Sequence, residues 1–181
     1  MKIKLLLLFT LTALVFTSCS KDDETDTQWE EANEAAFNKI STTSGYKKIE
    51  SQSKNGSIAY RVIKSGNGKT PIYTDKVKVF YEGWYKRYDW NKDDIYTNEN
   101  GIKIKNKFIF DSTSNRADVP AEFKVSGVVD GFTTALQHMK VGDKWEVWIP
   151  WRLGYGPNGN SQGGIPGFTT LVFEIELLEI L

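Results

Sequence analysis

The chain has 181 residues, 40% of them hydrophobic and 13% aromatic, which is enough to bury a core and excludes disorder throughout. Lys and Arg number 23 and Asp and Glu number 23, so the zero net charge lacks the basic excess of a nucleic-acid binder. The single Cys rules out an internal disulfide, and one His without a Cys cluster offers no ligand set for a structural zinc; no cofactor or metal is expected.

Lys2 and Lys4 precede an almost unbroken apolar run from Leu5 to Phe16, followed by Thr17, Ser18 and Cys19. That is the order of a secretory signal, and the run is short for a membrane span. Phe16-Thr17-Ser18-Cys19 resembles a lipobox, so residues 1–18 are read as a lipoprotein signal peptide and Cys19 as the lipidated residue. The competing reading is an ordinary signal peptide with an incidental Cys. Several acyl chains, each contributing about 0.8 kcal/mol per buried CH₂, would hold the protein durably on a membrane. Ser20-Lys21-Asp22-Asp23-Glu24 resembles the surface-export signal of Bacteroidetes lipoproteins, or else is a solvated tether. The expected location is the outer membrane, cell-surface or periplasm-facing.

Residues 19–27 are read as a flexible tether and 28–56 as an N-terminal helix plus linker. Trp29, Ala32, Ala36 and Phe37 approximate one apolar face over Gln28 to Ile40, with Thr27 as a cap and Glu30 three residues on. From residue 57 short strands alternate with turns. Ile58, Tyr60 and Val62 mark one strand, Val77, Val79 and Tyr81 a second, and Trp145, Val147 and Ile149 another, ended by Pro150. Asn100-Gly101 between Ile95-Tyr96 and Ile102–Ile104 predicts a two-residue hairpin turn. One short helix is expected from Gly131 to His138, and Thr170–Leu181 supplies a last long strand. One helix against many strands predicts an α+β fold, with the helix packed on an antiparallel sheet.

Several segments carry a family resemblance. Val79-Phe80-Tyr81-Glu82-Gly83, Phe110-Asp111-Ser112-Thr113, Phe123 to Phe132, Val141-Gly142-Asp143-Lys144, Leu153-Gly154-Tyr155-Gly156, Ile165-Pro166 and Thr170 to Leu178 follow one another as in the FKBP-type peptidyl-prolyl cis/trans isomerases. The chain resembles that family over residues 57–181. The resemblance implies a twisted antiparallel sheet wrapped around a short helix, with a pocket between them. It places Tyr81, Phe110, Asp111, Val128, Val129, Phe132, Tyr155, Ile165 and Phe173 in that pocket. Phe132 is its floor, where the family usually has Trp, and Ala121 stands where eukaryotic members often place Phe, removing one aromatic wall. The loop from Tyr155 to Ile165, rich in Gly, Asn, Ser and Gln, is expected to be more mobile than in relatives.

The implied activity is rotation about X-Pro bonds in proline-containing polypeptides, without cofactor, and the implied inhibitors are FKBP macrolides. Phe132, Phe173, Tyr81 and Val128 would hold the pyrrolidine ring, with Phe110 and Ile165 as walls. The Val129 N–H and the Tyr155 hydroxyl would bind peptide carbonyls. Asp111 would orient Tyr81 and supply a field, or serve only as a framework acceptor. His138 is read as a surface or capping group. Residues 84–109 form an insertion carrying Trp84, Tyr85, Tyr88, Trp90 and Tyr96, either a flap over substrate or a segment packed on the domain. Two other functions stay open: a non-catalytic binding module, and a surface receptor using the aromatic hairpin. The sequence leaves the oligomeric state undetermined.

Overall fold

The computed structural model describes residues 21–181. The expected signal peptide and Cys19 lie outside the described residues. Among the described residues no helix is long and apolar enough to cross a membrane.

Helix α1 spans Lys21–Ser41. It begins seven residues before the predicted Gln28, so residues 21–27, expected as tether, are its first turns. The acidic run at 22–24 is a composition that a helix N-terminus favours, and neither Gly nor Pro interrupts it. The hydroxyls of Ser41 and Thr43 donate to the carbonyls of Asn38 and Lys39 and close the C-terminal end. Of the predicted face, Trp29, Ala36 and Phe37 are half-buried and only Ala32 falls outside it, with Asn33 at the centre instead. Asn33 is fully buried, while Ala32 is exposed.

Strands follow as β1 (Lys47–Glu50), β2 (Ser57–Lys64), β3 (Lys76–Lys86), β4 (Ile95–Thr97), β5 (Lys103–Lys105), β6 (Lys107–Ser112), β7 (Ala121–Lys124), β8 (Lys144–Ile149) and β9 (Leu171–Ile180), with helix α2 at Asp130–Leu136. Seven of them make one antiparallel sheet in the order β1-β2-β8-β9-β3-β6, and β7 pairs with the first half of β3 beside β6 on the second. The segment expected as linker before residue 57 therefore contributes an edge strand. Lys47-Lys48-Ile49-Glu50 has one apolar residue, so its sequence carries no period-2 signal.

Alternation decides which face is core. Val77, Val79, Tyr81 and Tyr85 on β3, Trp145, Val147 and Ile149 on β8, and Leu171, Phe173, Ile175 and Leu177 on β9 point inward. Helix α2 lays Phe132, Ala135 and Leu136 against them, all buried. β2 departs from its predicted alternation. Ile58 and Ala59 are both fully buried, whereas Val62 is exposed. β2 is in contact with both α1 and α2, and its last four residues are exposed. Tyr60 stacks on Trp145 with ring centroids 4.2 Å apart.

Glu146 ties the linker to the sheet. The Tyr46 hydroxyl donates to it, Trp148 Nε1 donates at 2.7 Å and Arg61 at 2.6 Å. Burial, and then the Glu146 carboxylate, push the Tyr46 phenol from 10.0 up to about 12. The folded state thus holds this proton more tightly than the unfolded chain does. The stability this contributes is whole below pH 10 and is lost as pH rises from 10 towards 12. Tyr46→Phe should therefore show a shallower fall of the urea midpoint across that window than the unaltered protein.

The 84–109 insertion starts and ends as an extension of the sheet. Trp84, Tyr85 and Lys86 lengthen β3 and pair with Ile109, Phe108 and Lys107 of β6. The intervening β4–β5 hairpin forms as predicted in kind but not in turn length. Thr97 pairs with Lys103, Asn98 N–H donates to Ile102 O and Gly101 N–H to Asn98 O, with Gly101 at φ +76°. That is a three-residue loop with a left-handed glycine, not a two-residue turn. Asn98 Oδ1 accepts from the Asn100 and Ile102 N–H groups, a bond that favours the longer loop. Fully buried Asn106 organises the base, accepting from Tyr88 and Asp89 N–H and donating to Asp89 O.

Candidate active site

A hollow of about 370 Å³ opens between α2 and the inner face of the sheet. All nine residues assigned to the pocket by resemblance line it. Tyr81 comes from β3, Phe110 and Asp111 from β6, Phe173 from β9, and Val128, Val129 and Phe132 from the entry and first turn of α2. Tyr155 and Ile165 come from the long segment between β8 and β9. Phe123, Gly127, Asn160 and Gly163 complete the lining.

Phe132 is 3% exposed and forms the floor. Its ring meets Phe173 edge to face at 5.1 Å and 87°, Tyr81 at 6.1 Å and 86°, and Phe123 at 6.0 Å and 75°. Phe110 stands edge-on to Phe173 at 5.4 Å. Phe123 shares its strand face with Ala121, so an aromatic wall is present two residues beyond the position expected to lack one. The sequence pattern contained Phe123 without marking it as lining; its place opposite Val77 in the β3–β7 register is what aims it inward.

The polar rim is more tightly knit than the sequence indicates. The Tyr81 hydroxyl donates to Asp111 and accepts from Arg116, and Arg116 also donates to Asp111 Oδ1 at 2.6 Å. Burial, and then Asp111, raise the Tyr81 phenol well above its usual range, so the ring stays neutral. Both Asp111 oxygens are engaged within this trio. Arg116 lies in the turn after β6, in a stretch without periodicity that gave it no sequence signal. Two lining residues carry a donor without a protein partner among the described residues: the N–H of Val129, at φ −58° and ψ 149° just ahead of α2, and the Tyr155 hydroxyl.

Helix α2 is set in place by side chains around it. Asp130 accepts from Ser51 at 2.7 Å and from Ser53, and Thr133 donates to Val125 O at 2.7 Å. Exposed His138, expected as a surface or capping group, lies at the helix end with Nδ1 2.8 Å from Thr134 O. No residue of 84–109 lines the hollow. Trp84 and Trp90 instead pack with Trp148 on the opposite face of the sheet, at 6.1 and 5.3 Å, and Tyr85 lies buried beside Phe108. A second hollow, about 520 Å³, lies there between α1 and residues 88–91. Tyr88 keeps an exposed ring.

Fold and site together define an α+β protein with an aromatic-floored peptide-sized hollow between a short helix and a twisted antiparallel sheet. The family model of the FKBP-type peptidyl-prolyl cis-trans isomerases matches residues 68–178. The chain belongs to that family. It is 43% identical over 124 residues to the FKBP-type 22 kDa peptidyl-prolyl cis-trans isomerase of Escherichia coli K12, covering 68% of this chain and 50% of that protein. It is 36% identical over 124 residues to the outer membrane protein MIP of Legionella longbeachae, covering 68% of this chain and 44% of that protein. The chain thus spans about half the length of these curated relatives. The crystal structure of a peptidyl-prolyl cis-trans isomerase from Pseudomonas syringae is similar with a TM-score of 0.62 and 27% identity, over 85% of this chain and 94% of that one.

Proposed function

We propose that the protein catalyses cis/trans rotation about X-Pro bonds in polypeptides, as an envelope lipoprotein anchored through Cys19. The observation that carries the activity is the hollow itself, lined by aromatic rings packed edge to face, with the residues that carry the unpaired donors in its lining. The relatives' names support the same reading, and the name of the Legionella relative supports an outer-membrane location.

The chemistry asks for little else. Rotation must cross a barrier of roughly 18–20 kcal/mol, and uncatalysed exchange takes on the order of tens to hundreds of seconds. Twisting the amide breaks its resonance and reduces charge separation. A site poor in water therefore favours the twisted form over the polar planar one, and only that difference accelerates the step. Phe132, Phe173, Tyr81 and Val128 hold the proline ring, and Phe110 and Ile165 exclude water. The Val129 N–H and Tyr155 hydroxyl take the carbonyls flanking the proline and set its register. Asp111 and Arg116 fix the angle of the Tyr81 ring. Macrolide ligands of the family would compete for the same hollow.

A protease-coupled assay on a short Pro-containing peptide tests the activity, and absence of turnover above the uncatalysed rate would discard it. Tyr155→Phe should lower kcat/KM about two- to tenfold, the worth of one neutral hydrogen bond. Unchanged kcat/KM would remove Tyr155 from the site. Metabolic labelling with a fatty acid, lost in Cys19→Ser, tests the anchor.

A further inference from the structure

Residues outside the matched 68–178 region converge on one wall of the hollow. The segment from Gly154 to Thr170 carries Tyr155 and Ile165, and it contains Gly154, Gly156, Gly159, Gly163, Gly164 and Gly167. Such a stretch loses much conformational entropy when ordered. Its tip is closed within itself, Asn160 and Ile165 exchanging backbone bonds of 2.8 and 2.9 Å and Asn160 Oδ1 accepting from Gly163 N–H at 3.1 Å. Beyond the buried Ile165 and the packed Tyr155, the polar contacts that hold it come from elsewhere.

Helix α1 grips both stems. At the entry, Glu34 accepts from Trp151 Nε1 at 3.2 Å and from Arg152 at 2.5 Å. At the exit, Trp29 Nε1 donates to Gly167 O at 3.0 Å and lies 3.2 Å from Thr169 Oγ1. Fully buried Asn33 accepts the Thr170 N–H at 2.8 Å through its side chain, and its backbone carbonyl accepts the Thr170 hydroxyl at 3.0 Å. Behind the tip, the Tyr85 hydroxyl donates to Gly164 O at 2.7 Å, one residue from the pocket wall Ile165. The Trp29 ring stands edge-on to Tyr85 at 6.3 Å, so the helix and the tip anchor touch.

We propose that α1 is a brace for the Gly154–Thr170 wall and that Trp29, Asn33 and Tyr85 are positioning residues that set the affinity of the site for its peptide. The proposal rests on the isomerase reading of the hollow. Its physical basis is preorganisation. A wall already ordered before substrate arrives does not have to be ordered by it, and the apparent affinity falls by the fraction of molecules in which the wall is displaced. None of the three residues touches the hollow; each acts through the backbone that carries Tyr155 and Ile165.

The test uses the full-length protein with Trp29→Phe and Tyr85→Phe, which keep an aromatic ring and remove one donor each, and Asn33→Ala as the stronger lesion. Tyr46→Phe is the control, since it deletes a comparable part-buried hydrogen bond away from the wall. KM and kcat for a short Pro-peptide, the urea midpoint and amide hydrogen exchange are read for each. Trp29→Phe and Tyr85→Phe are expected to raise KM about three- to tenfold with kcat within about twofold, the pattern of lost binding preorganisation. Exchange should rise selectively at residues 154–170. Tyr46→Phe should lower the midpoint and leave KM unchanged. Unchanged KM in both wall variants, or an equal rise of KM in Tyr46→Phe, overturns the brace. If the unaltered protein turns over no peptide, the isomerase reading fails separately and exchange decides the brace: a selective rise at 154–170 supports it, and an even rise or none overturns it.

Discussion

Phe132→Ala should cost about 3–5 kcal/mol of folding stability and at least about thirtyfold in kcat/KM. The side chain is 3% exposed and makes three edge-to-face contacts, with Phe173, Tyr81 and Phe123. Each such pair contributes roughly 0.5–1.5 kcal/mol beyond the burial of area. The space left opens directly into the hollow, so water fills it. A proline ring then rests on water, losing about 0.8 kcal/mol for each CH₂ no longer buried, and the twisted amide loses its advantage in a site that is no longer dry. Domains of this kind retain roughly 5–15 kcal/mol in total, so the variant folds but sits near its limit. Urea unfolding and the peptide assay at low temperature check both numbers. Phe132→Leu fills most of the volume and should recover stability before activity. Turnover within twofold of the unaltered protein in folded Phe132→Ala would mean the proline does not sit on that ring.

Gly83→Ala should be damaging out of proportion to one methyl group. Gly83 lies mid-strand in β3, opposite Phe173 of β9 and Asp111 of β6. A Cβ there would meet ring atoms of Phe110 and Phe173 at 2.6 Å. Two walls of the hollow therefore close onto a strand that has no side chain at the point of contact. Ala must push both rings inward or part the strands, at a cost of about 1–3 kcal/mol. A shift of about 1 Å in groups that hold substrate can lower turnover about a hundredfold. Phe110→Leu in the same chain relieves part of the clash, and a double-mutant cycle on the urea midpoint should show that the two costs do not add. Simple additivity would show that the rings move aside freely.

Periodicity and local chemistry carry the fold well where one face of a strand is buried and the other is not. Val77, Val79 and Tyr81, or Trp145, Val147 and Ile149, state their strand and their inward face in the order of residues alone. The signal fails where both faces are covered, as at Ile58 and Ala59, and where an edge strand such as β1 has too few apolar residues to show a period. Helix α1 is legible as a helix, and Trp29, Ala36 and Phe37 mark its inward side, but the centre of that side is not legible. Asn33 reads as a solvent residue, and only the meeting with Thr170 and Trp90 makes it the most enclosed residue of the face. Asn106 is a second example, a buried amide whose value lies entirely in the backbone groups that converge on it.

The site divides in the same way. The nine lining residues sit in short ordered motifs, and the family resemblance of those motifs assigns them to one hollow. Arg116 and Phe123 were not assigned to it, because the turn of 113–120 and the register of β7 against β3 decide where they point. The aromatic insertion could not be assigned between flap and framework from residues alone. Strand extension settles most of it: Tyr85 alternates to the pocket side and lies buried behind the wall, while Trp84 alternates away to meet Trp90 and Trp148.

By itself the order of residues determined the α+β class, through the spacing of apolar side chains, and its motifs carried the family resemblance that implied an apolar hollow. The tertiary structure alone decided that α1 and the insertion stand behind the pocket wall instead of over its mouth. That choice is made by hydrogen bonds between groups as much as 140 residues apart, such as Trp29 to Thr169, and no local pattern encodes a partner at that distance.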